Sequence, residues 1–373
     1  VDSTVLKAGA ADVIAFAFYQ MGYRPRESLV LIGMHGPRRR LGLVVRVDLP
    51  ARRHLRTVLQ RQLDALGRYG DDALVVLVVS EAGEAGEAGE QAAADGSVMP
   101  HRRLVRDLRR QVAAQGWSLQ DVIGVGADRW RSYTCADPSC CPPGGRPLAE
   151  VLGSRVAACQ VGDGRVLAAD EESLVADVAP VTGAGPPAGG RTGVPVAEGP
   201  AVGSVPGTGL DAMAALQRWR ALLESAPPGD EVPGQLGWLI DALQDRWLRD
   251  AVLLTLVPGA GTAPEELLAG GDDAVLDGLL DQAPNQDLLE RGRALLAAVA
   301  RAAPPGSRVD ALALLAWMSW WAGDGARARL LAGRALADQP AHRLARLVDG
   351  LLRVGVAPAW VQARRAVRVP RRG

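Results

Sequence analysis

Residues 180–209, PVTGAGPPAGGRTGVPVAEGPAVGSVPGTG, separate two unlike halves of this 373-residue chain. A stretch built almost wholly of Gly, Pro and small residues has too little apolar surface to offset the entropy lost on ordering it. It reads as a flexible linker. Before it, short β-branched runs alternate with helical patterns; after it, the strand pattern is gone. The length alone points to two domains, since one core rarely organises so many residues. The expected organisation is an α/β domain over 1–179, the linker over 180–209, a helical domain over 210–362 and a basic tail over 363–373.

The first half alternates in period. GAADVIAFAFYQM (9–21) has apolar residues at helical spacing and is stopped by Gly22 and Pro25. SLVLIGM (28–34) and LGLVVRVDL (41–49) are β-branched runs around the turn-like HGPRRR, which predicts an antiparallel hairpin. In 51–70, Leu55, Val58, Leu59, Leu63 and Leu66 share one helical face. ALVVLVVS (73–80) is continuously apolar, as in a strand buried on both faces. The acidic repeat EAGEAGEAGE (81–90) has nothing to bury and is expected to be a disordered loop. A helix over 98–115 and strands over DVIGVG (121–126) and DRWRSYTC (128–135) complete an αββαβαββ order. That order predicts a mixed sheet flanked by helices.

In the second half, 210–225, 235–256, 285–302, 308–322, 325–337 and 341–353 read as helices. Leu315, Ala316, Gly323, Ala328, Ala335 and Pro340 fall at the spacings of a tetratricopeptide-type hairpin. Only this unit fits well, and stable arrays need about three, so a helical bundle with one such hairpin is expected.

Charge excludes little but is informative. The 42 basic and 42 acidic side chains cancel, giving no general attraction to nucleic acid or anionic lipid. Lys7 is the only lysine, so arginine is a compositional habit of this chain, and the arginines at 38–40 and 364–372 are read as solvated. The longest strongly apolar run, 311–322, is about half the ~20 residues a membrane-crossing helix needs. With no secretory pattern at the N-terminus, a cytoplasmic location is expected. Cysteines there are reduced, so close pairs point to metal binding, redox work or burial.

SYTCADPSCCPP (132–143) holds three of the four cysteines. Asp137-Pro138 favours a turn that brings Cys135 and Cys140 together, as two metal ligands or a thiol pair. Cys141 is expected to diverge, because neighbouring side chains in extended chain point apart. A closed zinc site wants four ligands. Asp137, Cys159, His35 or His101 would have to complete this one. Arg131 and Arg146 are the local positive groups that could favour a thiolate. The competing reading is a tight corner with cysteines packed as small hydrophobes. Asp48, at the end of a strand, is a further candidate, though Asp before Leu-Pro is also an ordinary strand end. Zinc is thus the candidate cofactor; no nucleotide-binding glycine motif is present. Trp317, Trp320 and Trp321 form a helical stripe, read as core.

MGYRPRESLVLIG (21–33), LVVRVDLP (43–50), RWRSYTCADPSCCPPGGRPL (129–148), RWLRDAVLL (246–254) and LLAWMSWWAGDGARARLLAGRAL (314–336) occur in that order. Together they resemble an actinobacterial family known as a domain of unknown function (number four-one-nine-two). The resemblance covers both halves and implies a bacterial cytoplasmic protein. It carries no reaction and no catalytic residues.

Two functional readings follow. The first is a non-enzymatic adaptor that binds another protein through its helical domain, with neither membrane nor nucleic acid as partner. The second is a metal- or thiol-dependent enzyme or sensor with its site at the 130–148 corner, where Cys135, Cys140, Cys141, Asp137 and Asp48 would line one pocket.

Overall fold

The computed structural model describes residues 9–81, 99–180, 211–225, 236–270 and 281–366. The acidic repeat beyond Glu81, the linker beyond Pro180 and the tail beyond residue 366 lie outside the described residues. The chain divides into two compact units, Val1–Ser173 and Leu174–Gly373. No helix among the described residues is long and apolar enough to cross a membrane.

The first unit runs α1 (Ala10–Met21), β1 (Ser28–His35), β2 (Arg40–Asp48), α2 (Leu55–Gly67), β3 (Ala73–Val79), α3 (Arg102–Ala114), β4 (Ser118–Val125), β5 (Arg129–Ser132), β6 (Arg146–Pro147), α4 (Ala149–Leu152) and α5 (Arg155–Gly162). Gly22 ends α1 at φ 77°, a left-handed conformation that glycine adopts without steric cost. The six strands form one sheet in the order β2-β1-β3-β4-β5-β6. Among the described strands only β3 and β4 run parallel, with α3 in the crossover between them, and the predicted β1–β2 hairpin is antiparallel. All seven residues of β3 are buried, as its continuous apolar run requires. On one sheet face, Leu29, Leu31, Leu74, Val76 and Val78 pack with Leu59, Leu63 and Leu66 of α2 and Leu104, Leu108 and Val112 of α3. The alternate residues Val30, Ile32, Val75 and Leu77 are also buried, so both faces are covered. The architecture is the α/β sheet expected.

Among the described residues the elements of the second unit are helices: α6 (Ala212–Glu224), α7 (Gly237–Ala242), α8 (Arg246–Leu254), α9 (Ala263–Leu268), α10 (Gln286–Ala302), α11 (Val309–Trp321), α12 (Gly325–Asp338), α13 (Arg343–Arg353) and α14 (Ala359–Ala366). Most of the longer helices start at a polar cap. Asp211, Asp245, Asn285, Asp324 and His342 each accept a first-turn backbone N–H. The span read as one helix over 235–256 is two helices, because the Asp245 carboxylate accepts from Trp247 and Leu248 and restarts the helix there. Ala316, Ala328 and Ala335 are fully buried where α11 meets α12, the small-residue contact a helical hairpin needs. Trp317 and Trp321 face the core, 4% and 0% exposed, with ring centroids 5.2 Å apart. Trp320 is partly buried and donates its indole N–H to the Val356 carbonyl at 2.8 Å. Residues 174–178 belong to this unit: Val175 and Val178 are in its core, and Arg301 and Arg334 donate to the Asp177 and Val175 carbonyls.

Candidate functional site

The cysteine corner is built between the end of β5 and the start of β6. Ser132, the last residue of β5 and 4% exposed, organises its entry. Its hydroxyl donates to Asp121 Oδ1 of β4 at 2.7 Å and accepts the backbone N–H groups of Thr134 and Cys135, both at 3.0 Å. Thr134 Oγ1 reaches the same Asp121 oxygen at 2.5 Å. Cys135 is therefore held by a side-chain network rather than by the sheet ladder.

Asp137 makes the turn. Its Oδ1 accepts the Ser139 backbone N–H at 2.8 Å and the Ser139 hydroxyl at 2.7 Å. Its carbonyl accepts the N–H groups of Cys140 at 3.2 Å and Cys141 at 2.7 Å. The two bonds from Ser139, helped by the Cys140 amide, hold the Asp137 carboxyl below the usual carboxylate range. Extended-chain geometry would have sent Cys140 and Cys141 apart. Because 138–140 is a tight turn instead, both residues come back toward Cys135. The three sulfurs lie within 4.8 Å of one another.

Three arginines fix the exit. Arg131 donates to the Pro143 carbonyl at 2.8 Å, Arg129 to the Gly145 carbonyl at 3.0 Å, and Arg146 to the Cys140 carbonyl at 3.2 Å. Arg146 also pairs with Glu150 of α4 at 2.7 Å and sits 5.7 Å from the centre of the Trp130 ring. Gly145 takes φ 74°, and a Cβ there would come within 3.1 Å of the Trp130 carbonyl, so the close return of the chain to β5 needs glycine.

The charges are arranged around this frame. Cys141 is 4% exposed, and burial pushes its thiol up to about 11. The Ser132 backbone opposes that shift, while the sulfurs of Cys135 and Cys140 add to it. A cation beside the sulfurs would reverse this balance, because it favours the thiolate. Arg146 is held in its charged form chiefly by Glu150. The corner also borders an open cleft at the carboxyl ends of β3 and β4, lined by Ser80, Gly126, Arg131, Tyr133, Pro143 and Gly144. Ligands of α/β sheets bind at such strand ends.

Over residues 11–359 the chain matches the family described as Domain of unknown function (DUF4192). The chain belongs to that family. The matched span takes in the whole cysteine corner and nearly all the described helices. No curated protein and no solved structure matches the chain.

In this DUF4192 chain the other sequence candidates lie apart from the three sulfurs. Asp48 ends β2, with its side chain 86% exposed and paired to Arg46 at 2.8 Å. Four strand spacings separate β2 from β5, roughly 19 Å at ~4.8 Å per strand, so Asp48 does not share a pocket with the cysteines. Cys159 is exposed on α5. His35 contacts the buried Asp71 carboxylate at 3.1 Å, and His101 occupies the start of α3. Neither these nor the Asp137 carboxylate joins the sulfur group. Sequence reasoning missed Ser132 and Asp121. Asp121 carried a signal, as a charged residue opening the apolar run 121–126.

Proposed function

We propose that this chain acts through its cysteine corner, as a metal- or thiol-dependent sensor or enzyme in a reducing, cytoplasmic setting. The observation that carries the reading is the convergence of three sulfurs on a backbone held by Ser132, Asp137 and three arginines. Packing alone does not call for such a frame, whereas a site needs its donors pre-organised. Cys140 is exposed, so a reagent or ligand can reach the group, and the neighbouring cleft offers room for one. The test is site-resolved alkylation of the native, reduced chain. The reading predicts that Cys140 is modified without unfolding and that its modification changes the reactivity of Cys135. Three thiols reacting independently, like Cys159, contradict it.

A protein-binding adaptor is the second reading. It draws on the α11–α12 hairpin and on Leu347, Leu351 and Val354, which recur at i, i+4 and i+7 along α13 and its C-cap. Leu347 and Val354, 56% and 48% exposed, are the exposed large hydrophobics among the described residues of the second unit. Two side chains fall short of the several hundred Å² typical of a docking patch, which ranks this reading second. A lower solution mass for Leu347→Asp/Val354→Asp than for the parent chain would favour it; an unchanged mass would count against it.

A further inference from the structure

We infer that Cys135, Cys140 and Cys141 form a binding site for one soft d10 cation of the zinc(II) class, with three thiolates as ligands and the fourth position open toward solvent at Cys140. This rests on the reading of the corner as a metal- or thiol-dependent site, and it names the ligand.

Three observations converge on it. The first is distance. Tetrahedral zinc with sulfurs at about 2.3 Å requires S···S separations of roughly 3.8 Å. The present separations, none above 4.8 Å, need a contraction of about 1 Å at most, within reach of small side-chain rotations. The second is donor chemistry. An all-sulfur set selects zinc, copper(I) or iron–sulfur chemistry and rejects magnesium and calcium, which take oxygen. Three ligands rather than four are the pattern of sites that keep an exchangeable position. The third is what surrounds the sulfurs. Ligation would release the thiol protons to solvent and leave three thiolates around a dication, a net charge of −1. Arg146 is placed to balance that charge, since it donates to the Cys140 carbonyl at 3.2 Å and is oriented by Glu150 at 2.7 Å. Arg146 is a positioning residue here: it touches the Cys140 carbonyl and not the sulfurs.

A disulfide explains the same residues less completely. Two of the sulfurs would join and the third would remain within 4.8 Å with no role. A metal uses all three.

The test uses the full chain, reduced and stripped by chelator, titrated with zinc(II) against a chromophoric competitor and separately with cobalt(II). The expected result is one ion per chain, with sulfur-to-cobalt charge-transfer absorption. Arg146→Met weakens zinc about 10- to 100-fold, the usual cost of losing an outer partner, and Arg146→Lys restores part of that loss. Cys140→Ser, at an exposed position whose replacement leaves the packing alone, weakens binding further still. Cys159→Ser changes nothing. Absence of the cobalt–sulfur band, or equal zinc affinity in Cys140→Ser, overturns the inference. If no ion binds but the corner thiols remain coupled in alkylation, the metal assignment falls and the thiol-dependent reading stands. If no ion binds and the thiols react independently, both fall.

Discussion

Replacing Ser132 with Ala removes a single oxygen, yet that oxygen joins β5, β4 and the first cysteine. It donates to Asp121 and accepts from the Thr134 and Cys135 amides. Ser132 itself is only 4% exposed, so water does not freely replace what is lost. A bond to a charged carboxylate is worth about 1.5–3 kcal/mol and a neutral one about 1 kcal/mol, and such terms overlap within one network. A local loss of about 2 kcal/mol is a conservative expectation. It corresponds to roughly 30-fold faster amide exchange at Thr134 and Cys135, at about 1.4 kcal/mol per factor of ten. Hydrogen exchange read by mass spectrometry or NMR resolves this without treating the two-unit chain as one cooperative transition. The amides of β3, which pair elsewhere in the sheet, should change far less. Exchange at 134–135 within about twofold of the parent would refute the view that Ser132 holds the corner.

Gly33→Ala and Gly42→Ala should each destabilise the first unit by about 1–3 kcal/mol, measured as the urea midpoint, because a Cβ would stand 2.1 Å or 2.3 Å from a buried Asp71 carboxylate oxygen. An unchanged midpoint would mean that Asp71 is free to move aside. On α3, Asp107 is held below the usual carboxylate range by hydrogen bonds from Arg52 and then Arg110. Its folded pKa is depressed, so its contribution is present above the unfolded value and is lost as pH falls through the folded one. Asp107→Asn should therefore flatten the acid limb of the stability–pH curve, and an identical acid limb would contradict this. Asp241 shows the opposite case: burial raises its carboxyl, so it favours folding below the unfolded pKa and costs stability at neutral pH. Asp241→Asn should stabilise the second unit at pH 7, an advantage that fades in acid; a destabilised variant would refute the assignment.

Local patterns foretold the parts of the fold that local energetics dictate. The β3 run has one way to bury seven consecutive apolar residues, and α2 and the β1–β2 hairpin carry unmistakable periods. β6 is two residues long and exists because Trp130 and Arg129 pair with it, which no local pattern records. The break between α7 and α8 was hidden because Asp245 acts as a cap without a neighbouring Gly or Pro. At the candidate site, Asp137-Pro138 signalled the turn that unites Cys135 and Cys140. The place of Cys141 was missed because extended geometry was assumed for residues that the Asp137 carbonyl winds into a turn. Asp48 was misplaced for a different reason: strand ends look alike in sequence, and only the sheet order puts β2 at the far edge from β5.

The central claim is that the corner is a site and not packing. Elemental analysis of the chain purified without chelator, paired with thiol counts before and after denaturation, tests it most directly. The account predicts about one equivalent of zinc or a similar thiophilic metal, lost in Cys135→Ser/Cys140→Ser. It also predicts that chelation raises the native thiol count. A metal-free chain whose corner thiols react only after unfolding would contradict it.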